Sequence, residues 1–226
     1  MTSAREALDQ ISDGESSSVE FKRKFTSSEK IAREIIAFAN SHGGRLFIGV
    51  DDDRSIVGVK SEKEEMEMVD IACTFFCDPP IVPHVEVLNL KGKDVVMVNV
   101  PESKNKPHWL VTNGQEKSER QAFIRLNDKT VAASKEVVRM MKSQRPDAPP
   151  MKISIGRIER TLFEYLREHE RITVKEFKHL ANISERRASI ILVRLVRAGV
   201  LYIHTFEKEE FFTFTGDPAE ASPRKG

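Results

Sequence analysis

The chain has 226 residues, with 36 basic and 35 acidic side chains and a net charge of +1. An indiscriminate polyanion binder is usually more basic than this, so nucleic-acid contact would have to come from local clusters of Lys and Arg. No apolar run is long enough to cross a bilayer, and MTSAREALDQ is not a hydrophobic signal segment; a cytoplasmic protein without membrane partners is expected. The two cysteines, Cys73 and Cys77, rule out a disulfide scaffold.

In chain order, a helix is predicted over 4–11. A strand follows over 18–23, where Val19 and Phe21 alternate with Glu20 and Lys22 and leave the charged pair on the opposite face. Ile31, Ile35, Ile36, Phe38 and Ala39 recur at helical spacing behind a cap at Ser27 or Ser28, and Gly43-Gly44 stops that helix. Leu46–Val50 reads as a central strand that delivers Asp51 and Asp52 at its carboxyl end. Further strands are expected near 55–59, 84–90 and 94–100, the last two forming a hairpin that turns at Lys91–Lys93, with a helix over 62–76 before them. QAFIRL is another strand, and a helix runs from Ser134 to Met141. Strands and helices interleave without a strict βαβ rhythm, which predicts an α+β fold: a mixed sheet with flanking helices.

Three prolines within residues 146–150 mark 143–152 as a Pro-rich linker after a first domain at 1–142. Residues 153–216 contain three amphipathic helices and an alternating hairpin turning at Glu207–Glu209. In these helices Ile158, Leu162, Tyr165, Leu166, Val174, Phe177 and Leu180 face inward, and the third runs from a Ser184 cap to Gly199. That order predicts a small winged helix-turn-helix domain whose third helix offers Arg186, Arg187 and Arg194 to nucleic acid. Residues 217–226 form a disordered tail.

The candidate chemistry gathers in residues 15–53. Glu15, Glu20 and one of Asp51–Asp53 stand at the ends of strands that flank a helix. Carboxylates brought together repel, and the shared site either raises a pKa or recruits a hard divalent cation, Mg²⁺ or Mn²⁺. Lys22 lies beside Glu20, and Lys22, Arg23, Lys24, Arg45, Lys104, Lys106 and Arg125 would make a polyanion-binding groove if they shared one face. GGRLFIGVD lacks the lysine and hydroxyl of a phosphate-binding loop, so its glycines serve turns and close packing. Cys73 and Cys77, one helical turn apart, read as buried thiols rather than zinc ligands with His84. His42, His108 and Trp109 read as capping or packing residues.

The spaced blocks ExxxxEFK, AFANSHGGRLFIGVDD, PESKNKPHW and AFIRLNDKTVAAS resemble the Schlafen AlbA-like domain family, over about 130 residues. The resemblance implies nucleic acid, RNA or DNA, as the partner. In vertebrate Schlafen nucleases a Glu-Glu-Asp set cuts transfer and ribosomal RNA. The matching positions are Glu15, Glu20 and Asp52, which would hold Mg²⁺ or Mn²⁺, with Lys22 contacting the scissile phosphate. Many prokaryotic members are instead described as DNA-binding or regulatory proteins, so a non-catalytic transcriptional regulator is the alternative function. Vertebrate cores pair two related lobes; the single lobe here implies a homodimer.

Overall fold

The computed structural model describes residues 4–112, 120–145, 154–206 and 209–215. The chain divides into two compact units, Met1–Ser134 and Lys135–Gly226. In the first, α1 (Ala4–Asp13) precedes β1 (Val19–Lys22), α2 (Ser28–Asn40), β2 (Gly44–Ile48) and α3 (Glu62–Phe75). There follow β3 (Cys77–Asp78), β4 (His84–Leu90), β5 (Lys93–Val100), β6 (Trp109–Leu110), β7 (Phe123–Leu126) and β8 (Lys129–Ala132).

β1 and β2 pair in parallel across α2, and β5 and β4 extend the sheet antiparallel in the order β1-β2-β5-β4. This is the mixed sheet with flanking helices that the pattern predicts. Each face buries its own apolar set. Ile31, Ile35 and Phe38 of α2 meet Leu46, Ile48, Val96 and Val98 on one face. On the other, Ala7 and Ile11 of α1 meet Phe21, Phe47 and Met97. The Ser27 hydroxyl caps α2 by accepting from the Lys30 N–H. After α2, Gly43 takes φ +78°, and a side chain at Gly44 would overlap the ring of Phe38, so the Gly-Gly pair supplies both the stop and the close approach. Lys91 and Gly92 both have positive φ, which suits a tight two-residue hairpin between β4 and β5.

The strand expected at 55–59 reduces to a single bridge, Val50↔Ile56. The N–H groups of Val57 and Gly58 both turn back onto the Gly49 carbonyl, and Gly58 has φ +76°, so the segment closes a loop. Gly49 in turn bonds Lys22 O, which holds that loop at the carboxyl ends of the parallel pair.

The second unit contains α4 (Lys135–Ser143), α5 (Arg157–Glu168), α6 (Val174–Leu180), α7 (Glu185–Arg197), β9 (Leu201–Thr205) and β10 (Glu210–Phe214). Helix α4, expected to close the first domain, belongs here because Glu136 and Arg139 both bond the buried Ser189 of α7. Leu162, Leu166, Phe177, Leu192 and Phe212 fill its core. Leu180, expected inward, is exposed at the last position of α6. Ser184 caps α7 and Gly199 follows it with φ +70°. Of the expected linker, residues 146–152 lie outside the described residues, as do Glu207, Lys208 and the tail at 217–226. Among the described residues no helix is long and apolar enough to cross a membrane.

Candidate functional site

Alternation along β1 sends Val19 and Phe21 toward α1, and Glu20 and Lys22 to the face covered by α2 and the β7–β8 hairpin. Glu20 is 6% exposed. Its Oε2 accepts from Arg125 Nη1 at 2.8 Å, and its Oε1 accepts from Lys22 Nζ. Glu15 reaches the same strand, where its Oε1 accepts from the Phe21 N–H at 2.9 Å.

Arg125 organises the rest. Its Nη1 also donates to Glu34 Oε2 at 3.3 Å and to Thr130 Oγ1 at 3.0 Å, while the Thr130 hydroxyl donates to Glu34. Nη2 donates to the carbonyls of Ser16 and Asp128, both at 2.9 Å, and the guanidinium lies 4.9 Å from the centre of the Phe38 ring. One buried cation thus joins β1, α2 and the β7–β8 hairpin.

Three carboxylates, Glu15, Glu20 and Glu34, share two cations, Lys22 and Arg125. Burial raises the Glu15 carboxyl above its ordinary range, and the charges of Glu20 and Asp52 add to this against the Phe21 N–H and Lys22. Burial raises Glu34 as well, with the Glu20 charge adding, against Thr130, Lys22 and Arg125. Burial works against the Lys22 charge but is outweighed by the bond to Glu20 and the charges of Glu20, Glu34 and Glu15, which hold the ammonium above its usual value. Glu15 is exposed as a residue and Glu34 is not, so the stronger electrostatic case rests on Glu34.

Asp52 is exposed on the turn after β2, where its N–H bonds Asp51 Oδ1 at 3.1 Å, and Asp51 in turn pairs with Arg23 at 3.0 Å. Asp52 reaches Glu15 as a like charge. Both oxygens of Glu20 are taken by cations. Among the described residues no group of three His, Cys, Asp or Glu side chains is placed to hold a metal ion. The expected Glu15–Glu20–Asp52 set therefore does not fit Mg²⁺ or Mn²⁺ in this arrangement.

Several of the candidate basic residues are engaged by partners within the fold. Arg125 is buried in the network rather than turned to a polyanion. Arg45 pairs with Glu6 at 2.6 Å, and Lys106 is drawn onto the Ser41 carbonyl and Glu102. Arg194 binds the buried Glu159 at 2.5 Å. Lys24, Lys104, Arg186 and Arg187 are exposed.

Glu34 is the residue that sequence reading missed. It lies three residues after Ile31 and four before Phe38, on the apolar stripe of α2, where an acid calls for a buried partner. Asn40 was missed too. Its amide donates to the carbonyls of His108 and Phe123, at 3.0 and 2.9 Å, and accepts from the His108 N–H at 2.8 Å. His108 Nδ1 donates to the Pro79 carbonyl, which leaves Nε2 to accept from Ser103 Oγ at 2.6 Å. Both residues tie the ends of loops together. Cys73 and Cys77 are free and buried, and burial first, then Asp70, pushes the Cys73 thiol up to about 12. His84 is exposed and paired with Glu86, and among the described residues it joins no trio placed to hold zinc.

No curated protein matches the chain. The N-terminal domain of a protein described as ATP-dependent DNA helicase RecG-related, from Nitrosomonas europaea, is similar: 24% identity over 51% of this chain and 84% of its own, TM-score 0.41. The DIP2311 protein from Corynebacterium diphtheriae is 18% identical over 87% of this chain, TM-score 0.46. There the match spans 34% of the other chain. The segment that builds the charged network, residues 15–134, matches the model of the Schlafen, AlbA_2 family; with more than half of its length so covered, the chain belongs to that family.

Proposed function

We propose that this protein binds nucleic acid, with the charged network of the first unit beside the bound strand and the second unit acting as a winged helix. The observation that carries it is that Glu15 lies within electrostatic reach of Glu20, Lys22 and Asp52, next to the exposed Arg23 and Lys24. Family membership supports the same partner. In the second unit, Arg186 and Arg187 occupy the exposed first turn of α7, as a recognition helix requires. A cytoplasmic location and a homodimer that doubles the single lobe belong to this proposal, and solution scattering at high concentration tests the dimer.

Filter retention of transfer RNA and duplex DNA at several salt concentrations tests the binding. Reversing Arg186 and Arg187 to Glu should flatten the salt dependence by about one unit of slope per lost phosphate contact. Unchanged affinity and slope for both nucleic acids would remove the winged-helix half of the proposal.

Cleavage of RNA by Glu15, Glu20 and Asp52 is the second function. One observation favours it, the electrostatic contact of Glu15 with both Glu20 and Asp52; another opposes it, the capture of both Glu20 oxygens by Lys22 and Arg125. Incubating transfer RNA with the protein, with and without Mg²⁺ or Mn²⁺, decides between them. Metal-dependent products that vanish in Glu20→Ala establish the nuclease; intact RNA that stays bound establishes the non-catalytic regulator.

A further inference from the structure

Immediately beyond Lys22 the chain borders a cavity of about 560 Å³ at the carboxyl ends of the parallel strands, facing the first turn of α3. Its volume falls within the roughly 300–1,000 Å³ of small-molecule sites. It is far larger than one phosphate needs. Carboxyl ends of parallel strands are where open sheets with crossover helices place their ligands.

The lining is divided by chemistry. Arg23, Lys24 and Lys60 supply positive charge at the rim, and Lys24 and Lys60 are exposed. Phe25, Val59 and Met68 supply apolar wall, with Phe25 only 8% exposed. Glu64 and Glu65 of α3 complete it. One carboxyl oxygen there, Glu65 Oε2, is buried with no hydrogen-bond partner among the described residues, an acceptor that the fold leaves unmatched. Ser61 is already used, its hydroxyl accepting the Glu64 N–H as the cap of α3.

We infer that this cavity takes one unpaired nucleotide of the bound strand, with its phosphate between Lys24 and Lys60 and its base against Phe25, Val59 and Met68. A flat ring on an aromatic and apolar wall, with the phosphate held at a basic rim, is how single-stranded nucleic acid is gripped without base pairing. Each base carries a donor that Glu65 Oε2 can accept, the amino groups of adenine, cytosine and guanine or the N3–H of uracil. The inference rests on the nucleic-acid function proposed above and assigns it a pocket distinct from the Glu20 network.

Calorimetric titration of the full chain with AMP, CMP, GMP, UMP and inorganic phosphate, and with an unstructured oligonucleotide, tests it. Saturable binding is expected for all four nucleotides, tighter than for inorganic phosphate. The double variant K24E/K60E should weaken mononucleotide and oligonucleotide binding at least tenfold, whereas Arg5→Glu, on the exposed side of α1 across the sheet from Phe25 and Met68, should not. Both lysines are exposed, so the double variant retains its fold. Oligonucleotide binding that survives K24E/K60E, with mononucleotides silent, overturns the pocket and leaves the nucleic-acid function standing. Phosphate competing as well as nucleotides overturns the base contact. A chain that binds neither oligonucleotide nor mononucleotide overturns both the pocket and the function.

Discussion

Each unit buries a glutamate against an arginine, and the two pairs differ in a way that separates structure from site. In the second unit Glu159 is fully accounted for. It is the third residue of α5, its Oε2 accepts from the Gly156 N–H at 2.9 Å to close the helix start, and its Oε1 meets Arg194. One acid faces one base, and a helix cap explains both. In the first unit Glu20 gives no backbone group a partner, and a second acid, Glu34, draws on the same guanidinium. A balanced buried pair serves the fold. A buried cluster with surplus negative charge is kept at a cost in stability, which is the usual mark of a functional site.

The largest effect should come from Arg125→Met. It takes the guanidinium from both Glu20 and Glu34, leaving them Lys22 and the Thr130 hydroxyl, and loss of one partner of a buried pair costs about 3–5 kcal/mol. Urea denaturation measures it. Arg194→Met should cost less, about 1–2 kcal/mol, since Arg194 is partly exposed and Glu159 keeps the Gly156 N–H. Equal losses in the two variants would break the comparison.

Thr130→Val comes next, at about 1 kcal/mol, because it removes a hydroxyl that both Glu34 and Arg125 use. The smallest effect sharpens the electrostatic side. The Glu34 carboxyl is raised in the folded state, so the wild-type chain gains stability as pH falls through that raised pKa toward 4.5 and loses it as pH rises. Glu34→Gln should therefore compare best with wild type near neutral pH, with that relative advantage shrinking on acidification. Parallel pH–stability curves for the two chains would show that Glu34 bears no such strain.

Much of the fold was legible because its signals are local. The Ser27 and Ser184 caps, the period-two stretch at Val19–Lys22 and the left-handed Lys91-Gly92 turn can each be read from a few neighbouring residues. The site was legible in part. Glu15, Glu20 and Lys22 do meet, yet their partners come from far along the chain. Arg125 looked like a surface cation, although period two in β7 places it on the same face as the buried Phe123. Arg45 with Glu6, and Arg194 with Glu159, were hidden for the same reason: these are pairings between elements, and spacing alone does not reveal which cations the fold has already used.

Glu20 and Arg125 are 105 positions apart. During synthesis Glu20 emerges with Lys22 beside it, but its second cation follows only after the residues of helix α2 and the four-stranded sheet have been made. The β7–β8 hairpin acts as a keystone, set last. A fragment ending after β5 would keep every strand of the main sheet and leave Lys22 alone to balance Glu20 and Glu34, so the smallest piece able to reproduce this centre must run through Thr130.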